Sequence, residues 1–197
     1  MWSLSLDWIV LAVLVFWAVG AYNRVMRLRS TCVQAFGSLD TYFMQTQGLL
    51  NEWNAVQARS DQPGGSAHKL AYEAWQQSLG AMGAALAGAR ARPLNASAVQ
   101  ALERAHDAQA AAWHALADMP CAPDGEATEA QPQVWRQRWQ QQQGQIGLAT
   151  AQFNTAVAQY NAAIAQFPAR VLAWFFGFRP ARTLALALGP QLPDSAA

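Results

Sequence analysis

The sequence predicts an all-α protein in which an N-terminal transmembrane helix continues into an antiparallel four-helix bundle. Three observations carry that prediction. Met1–Tyr22 is apolar except for Asp7; beyond it, apolar residues recur three and four apart over long stretches; and clusters rich in Pro and Gly cut the remainder into four segments of helical length.

The N-terminal run comes first. A chain of 197 residues suits one domain plus an anchor. Its 53% hydrophobic and 13% charged content is skewed towards the apolar, and part of that excess lies in MWSLSLDWIVLAVLVFWAVGAY. At 1.5 Å per residue, Trp2–Tyr22 spans about 30 Å as a helix, the thickness of a hydrocarbon core. Trp2, Trp8, Trp17 and Tyr22 suit the two interfacial belts. Two other readings compete. A cleaved signal peptide fits Val19-Gly20-Ala21 as a processing site but lacks the Lys or Arg that should precede the apolar run. A buried core helix fits poorly because the run is too long and too uniformly apolar. The anchor is the preferred reading. Arg24, Arg27 and Arg29 follow it directly, so the positive-inside rule puts the C-terminal body in the cytoplasm.

The four helices of the body are expected at about 23–59, 66–92, 97–118 and 133–167. In the first, Val25, Leu28, Cys32, Ala35, Leu39, Tyr42, Leu49, Trp53 and Val56 form a seam that only Thr46 interrupts, widened by Phe36, Phe43 and Leu50. Gln62-Pro63-Gly64-Gly65 ends it. Ser66 caps the second helix, whose Gly80, Ala84 and Gly88 offer a smooth strip for close packing within the bundle. A membrane dimer motif is the weaker alternative, since the apolar stretch there is too short to span. Ser97 followed by Gln100 is a capping-box signature for the third helix. Met119–Pro132, with three prolines and the acids Asp124, Glu126 and Glu129, is expected to be a solvated loop. The fourth helix keeps heptad spacing typical of a coiled coil through Ile146, Ala149, Phe153, Ala156, Tyr160, Ala163 and Phe167. Gln140–Gln143 form its solvated start, and Pro168 stops it.

An up-down-up-down order has a geometric consequence. The first and last helices of the body, each about 50–55 Å long, leave and return to the membrane. Phe167 then lands beside Tyr22 and Asn23. The segment from residue 169 to 197 opens with Val171-Leu172-Ala173-Trp174-Phe175-Phe176-Gly177-Phe178, bracketed by Arg170, Arg179 and Arg182. Aromatics bordered by arginine suit a bilayer interface, and a cap over the open end of the bundle is an equal alternative.

Three stretches resemble the LemA family: Tyr22-Asn23-Arg24-Val25-Met26-Arg27-Leu28-Arg29, the FNxxVxxYNxxIxxFP pattern from Phe153 to Pro168, and Phe175-Phe176-Gly177-Phe178-Arg179-Pro180. This chain departs from the family in having Gln45–Trp53 where an LIPNLV-like stretch is usual. It has Leu184 or Leu186 in place of an aromatic after FGF, and no lipoprotein cysteine near Tyr22-Asn23. It is therefore similar to a divergent member. The resemblance implies an anchored antiparallel helical bundle in a bacterial envelope, at the inner membrane, with no known catalytic activity.

Glu103-x-x-His106, with Asp107, His114 and Asp118, has ligand-like spacing. A bundle di-metal site needs a second such pair and two further glutamates, whereas His68 is the remaining histidine and Glu52 and Glu73 are the acids well placed inside other helices. An ordinary polar helix face is the preferred reading, and no metal, cofactor or catalytic residue is assigned. Cys32 and Cys121 are too few and scattered for a disulfide framework. A net charge of +1 without a basic run gives no nucleic-acid footprint. The residues singled out as interface or structural are Tyr22, Asn23, Asn154, Tyr160, Asn161, Trp174, Phe175, Phe176 and Phe178. Asn154 and Asn161, seven apart beside the seam, are read as interhelical hydrogen-bonding residues that fix register, and less readily as a partner site. The functional expectation is a single-pass membrane scaffold or adaptor that engages the bilayer and another envelope protein, or itself. A metal-binding bundle enzyme and a lipid-binding or membrane-shaping protein are the alternatives.

Overall fold

The computed structural model describes residues 2–57, 66–117 and 130–186. The chain is all-helical: α1 (Trp2–Gln57), α2 (Ser66–Ala91), α3 (Ala96–Ala117), α4 (Ala130–Ala165) and a short α5 (Ala169–Phe176), with no strand among the described residues. The Gln62–Gly65 breaker, Asp118, residues 119–129 of the expected Met119–Pro132 loop with Cys121, and the tail beyond Leu186 lie outside the described residues, while the last three residues of that loop open α4.

No proline precedes Pro63, and α1 runs unbroken for 56 residues, about 84 Å. Its first third is long and apolar enough to cross a membrane, and almost none of it is buried. Trp8, Ile9, Leu11, Leu14 and Phe16 all point away from the protein. From Val25 onward the same helix bears a core. Its buried residues are Val25, Cys32, Phe36, Leu39, Phe43, Thr46, Leu50 and Trp53. This seam steps by three and four from Cys32, so Phe36, Phe43 and Leu50 sit at its centre while Ala35, Tyr42 and Leu49 flank it and Val56 is exposed. Thr46 does not interrupt the seam but lies on it. Its hydroxyl donates to the Tyr42 carbonyl at 2.9 Å, which satisfies the polar atom without a partner helix.

α1 packs along α4, and α2 along α3. Contacts between neighbouring helices pair low numbers with high ones. Phe36 meets Phe153 between α1 and α4, and Trp17 meets Phe167 just past the end of α4. Asp40 pairs with Arg90, and Asn54 with Tyr72, between α1 and α2. His106 pairs with Gln143, and Trp113 with Trp139, between α3 and α4.

The core has two apolar parts. One gathers Phe36, Phe43, Met82, Leu102, Ile146 and Phe153; the other is built on Trp53, Trp75, Trp113 and Trp139 with Leu50 and Leu116. In the second, Trp53, Trp75 and Trp113 stand in mutual ring contact at 5.3–5.7 Å, and Trp139 stacks on Trp113 at 5.4 Å. Each helix passes from one part to the other through polar residues: Thr46 and Gln47 on α1, Ser78 on α2, His106 and Gln109 on α3, Gln143 on α4. Gln47 Nε2 donates to Gln109 Oε1 at 3.2 Å, and His106 Nε2 lies 3.0 Å from Gln143 Oε1. Polar groups at one level of a helical core penalise slipped registers, in which they would lose their partners. Gln143 is thus turned inward, and the solvated glutamine run expected at the start of α4 holds only for Gln140 and Gln141.

Three further expectations change. Asn95, not Ser97, opens α3: its Oδ1 accepts from the Ser97 and Ala98 amides at 2.9 and 3.2 Å. An Asn side chain reaches the second and third amides of a helix as well as Ser does, and here it stands two residues earlier. The Gly80–Ala84–Gly88 strip faces outward, and a Cβ at Gly80 or Gly88 would meet nothing within 4 Å, so it is not a close-packing surface of the core. Phe167 is not a core residue. α4 ends at Ala165, and Phe167, freed from the helical register ahead of Pro168, is 74% exposed.

Candidate functional site

After α5 the chain turns back and lies along α4 as an extended strap, residues 178–186. Gly177 makes the turn possible. It adopts φ +69°, a left-handed conformation that glycine accepts without steric cost, and the Phe178 amide closes back on the Ala173 carbonyl at 2.9 Å. The FGF sequence is therefore a helix end followed by a reversal, with Phe178 packed against the core where the strap begins.

Two asparagines on α4 hold the strap. Asn161 Nδ2 donates to the Ala181 carbonyl at 2.8 Å while its Oδ1 accepts the Ala181 amide at 2.9 Å. Asn154 treats Leu184 the same way, at 2.8 and 2.7 Å. The spacing explains the motif. Seven helical residues rise about 10.5 Å, and three extended residues cover about 10 Å. Asparagines two turns apart therefore match every third residue of an antiparallel strap. A carboxamide offers one donor and one acceptor in one plane, as a neighbouring strand would, and each asparagine satisfies both backbone groups of one buried residue. Between them, Tyr160 donates its hydroxyl to the Arg179 carbonyl at 3.2 Å. Burial pushes the phenol above its ordinary range, so it stays a protonated donor.

α3 holds the other side. Glu103, itself buried, accepts the Ala185 amide on Oε1 at 2.7 Å and pairs through Oε2 with Arg182 at 2.9 Å. A buried carboxylate is costly without partners, and here both oxygens have charge-assisted or backbone donors. The Glu103-x-x-His106 spacing thus serves two different ends: Glu103 holds the strap, while His106 belongs to the polar level and bonds Gln143. Burial lowers the His106 pKa, against weaker upward contributions from Gln143 and Asp107, so the ring is neutral at pH 7. A metal at this pair would have to displace these partners. Among the described residues, no group of three or more His, Cys, Asp or Glu gathers as metal ligands do.

α5 forms a foot against α1. Ala169 and Ala173 face inward, and Arg170, Val171, Trp174 and Phe175 face outward, with Trp174 85% and Phe175 74% exposed. Phe167 contacts Trp17 at 5.0 Å. At the other end of the foot, Phe176 and Phe178 contact Tyr22 at 5.2 and 6.1 Å. Of the nine residues singled out in the sequence, Tyr22, Phe176 and Phe178 come together here, and Asn154, Tyr160 and Asn161 come together on the strap. Trp174 and Phe175 are placed outward, and Asn23 is exposed and joins neither group. Asn154 and Asn161 bond the returning chain, not another helix. Glu103 and Arg182 complete the strap but were not assigned to it; the signal in the sequence was an acid at an otherwise apolar helical position.

The LemA family's sequence profile matches residues 81–191. No curated protein and no solved structure matches the chain. The matched stretch contains every strap-holding residue, the α5 foot and the Gly177 turn, while the Tyr22–Arg29 stretch lies outside it. With more than half of its length matched, this chain belongs to the LemA family.

Proposed function

We propose that the protein is a single-pass scaffold or adaptor of a bacterial inner membrane: an antiparallel four-helix bundle on the cytoplasmic side, anchored by residues 1–22 and steadied by α5. The observation that carries this is the position of α5 along α1. Residues 2–16, which lie below the foot, would span only about 22 Å, short of a hydrocarbon core of about 30 Å. The span is long enough only if it reaches Tyr22. The foot and the Phe167 turn that leads into it, which together touch α1 from Trp17 to Tyr22, would then lie in the last 7–8 Å or so, the depth of an interfacial helix. Trp174 and Phe175 stay largely exposed, Phe175 touching only the neighbouring Phe176 ring among the aromatic contacts, and an interface would give both a role. Anchor and foot together would fix the tilt of the body, which suits a protein that presents a rigid helical surface to another envelope protein or to a second copy.

The bundle geometry rests on the opposed numbering of the contacts between α1 and α4, α1 and α2, and α3 and α4, and the cytoplasmic orientation on Arg24, Arg27 and Arg29. A reporter fused after Ala197 tests the orientation. A reporter active only in the cytoplasm should work there, and activity of a periplasm-dependent one would overturn it. The exposed aromatics of α5 also favour a second reading, a lipid-binding or membrane-shaping protein. Deformation of vesicles by the full-length protein would select it.

A further inference from the structure

A groove of about 290 Å³ opens between α1 and the corner where α4 gives way to α5. One wall is α1, through Phe16, Trp17, Gly20 and Arg24; the other is the turn at Phe167 and Pro168. Three features distinguish it from a packing gap. First, its floor is open because residue 20 is glycine: a Cβ there would meet nothing within 4 Å. Neither packing nor backbone conformation requires that glycine, and a glycine inside a helix is unfavourable by about 1 kcal/mol relative to alanine. Second, Arg24 lines the groove, and no hydrogen bond or ion pair engages it among the described residues. Third, Phe16 and Arg24 are eight residues apart, about 12 Å along α1, so the groove is apolar at one end and cationic at the other.

We propose that this groove binds one anionic phospholipid, its phosphate on Arg24 and the upper part of one acyl chain along Gly20 between Phe16 and Phe167. The proposal rests on the membrane reading above and specifies the lipid that reading leaves open. The groove runs from the apolar run, where acyl chains lie, to the first cation beyond it, where phosphates lie, so its polarity matches a lipid in orientation as well as charge. Its volume is at the small end of ligand sites, which run from about 300 Å³. That accommodates part of one chain and leaves the rest of the lipid in the bilayer. Arginine suits a phosphate because its planar donors can engage two oxygens at once.

The test uses the full-length protein extracted from membranes, with native mass spectrometry after exchange into detergent containing phosphatidylglycerol or phosphatidylcholine. One phosphatidylglycerol should remain bound per chain, in clear preference to phosphatidylcholine. Arg24→Gln should weaken that preference roughly five- to tenfold. Gly20→Leu, whose Cβ has open space and whose longer side chain fills the floor without removing a charge, should abolish retention of the lipid. Both variants should stay in the membrane fraction with unchanged helicity. Equal retention of the two lipids by the wild type, or full retention by Gly20→Leu, overturns the proposal. So does a dimer that carries no lipid, because the groove would then hold a second copy. If the wild-type protein is absent from the membrane fraction, the membrane reading fails as well; if it is present there but retains no lipid, only the site fails.

Discussion

Replacing Asn161 by alanine should release the strap locally while leaving the helices folded. Asn161 makes two hydrogen bonds, and both go to Ala181, a residue only 6% exposed. Without the carboxamide, the Ala181 amide and carbonyl lose their partners beneath the strap. A buried polar group left unpaired costs about 1–3 kcal/mol. The strap is at the protein surface and opening lets water in, so the low end of that range, about 1–1.5 kcal/mol, applies to each group, about 2–3 kcal/mol together. At about 1.4 kcal/mol per tenfold, Ala181 should exchange its amide hydrogen roughly 30–150 times faster than in the wild type. Hydrogen exchange on the full-length protein reads this directly, with the amides of α4 around Phe153 as the control that should not change. Asn161→Asp keeps the acceptor and loses the donor, so it should fall between the two. Unchanged exchange at Ala181 in Asn161→Ala would refute the reasoning, because the strap would then be held by packing alone.

The core assignments separate two phenylalanines of one motif. Phe153→Ala should cost about 3–5 kcal/mol, since the ring is buried against Phe36, whereas Phe167→Ala should change thermal stability in detergent by about 0.5 kcal/mol or less. Equal melting shifts for the two would contradict the register of α4. Trp113→Ala should destabilise by a similar 3–5 kcal/mol and remove most of the indole exciton coupling expected in far-ultraviolet circular dichroism, because Trp113 touches three other indoles. His106 gives a pH dependence. Burial holds its folded pKa below the ordinary 6.5, so the unfolded chain takes up the proton first. Its contribution is fully present above about pH 7 and is lost as the pH falls through 6.5 towards the lower folded value. Unfolding profiles of wild type and His106→Gln should converge in that window, and parallel profiles would exclude His106 as the cause.

The elements governed by local patterning were legible in the sequence; contacts made by the returning chain were not. The apolar run to Tyr22, the heptads from Ile146 to Ala163 and the break before Pro168 depend on neighbours a few residues away, and periodicity reports such things well. The α1 seam was read slightly off-centre because Ala35, Tyr42 and Leu49 share a face with Phe36, Phe43 and Leu50, and only packing decides which set faces inward. Thr46 looked like an interruption because hydropathy does not register a hydroxyl bonded to its own helix. Asn154 and Asn161 stood out by their spacing, but their partners, Leu184 and Ala181, are 30 and 20 residues away in a segment without side-chain signals of its own. Glu103 was noticed for the wrong partner, since a Glu-x-x-His pair on one helix carries no information about an arginine 79 residues later. The tryptophan cluster was missed because its four rings come from four different helices, one each.

The central claim, that α5 rests in the bilayer interface beside the end of the anchor, is tested most directly by a depth measurement. In a Cys32→Ala, Cys121→Ser background reconstituted into lipid nanodiscs, a spin label would be attached in turn through Val19→Cys, Phe175→Cys and Leu148→Cys. Relative accessibility to oxygen, which partitions into the bilayer, and to a water-soluble nickel complex reports depth. Val19 and Leu148 are both exposed, the first between Trp17 and Tyr22 and the second far along α4, so they mark lipid and water respectively. Phe175 should report an oxygen-rich, nickel-poor environment close to that of Val19. A label at Phe175 as accessible to nickel as the one at Leu148, with Val19 still in lipid, would contradict the claim.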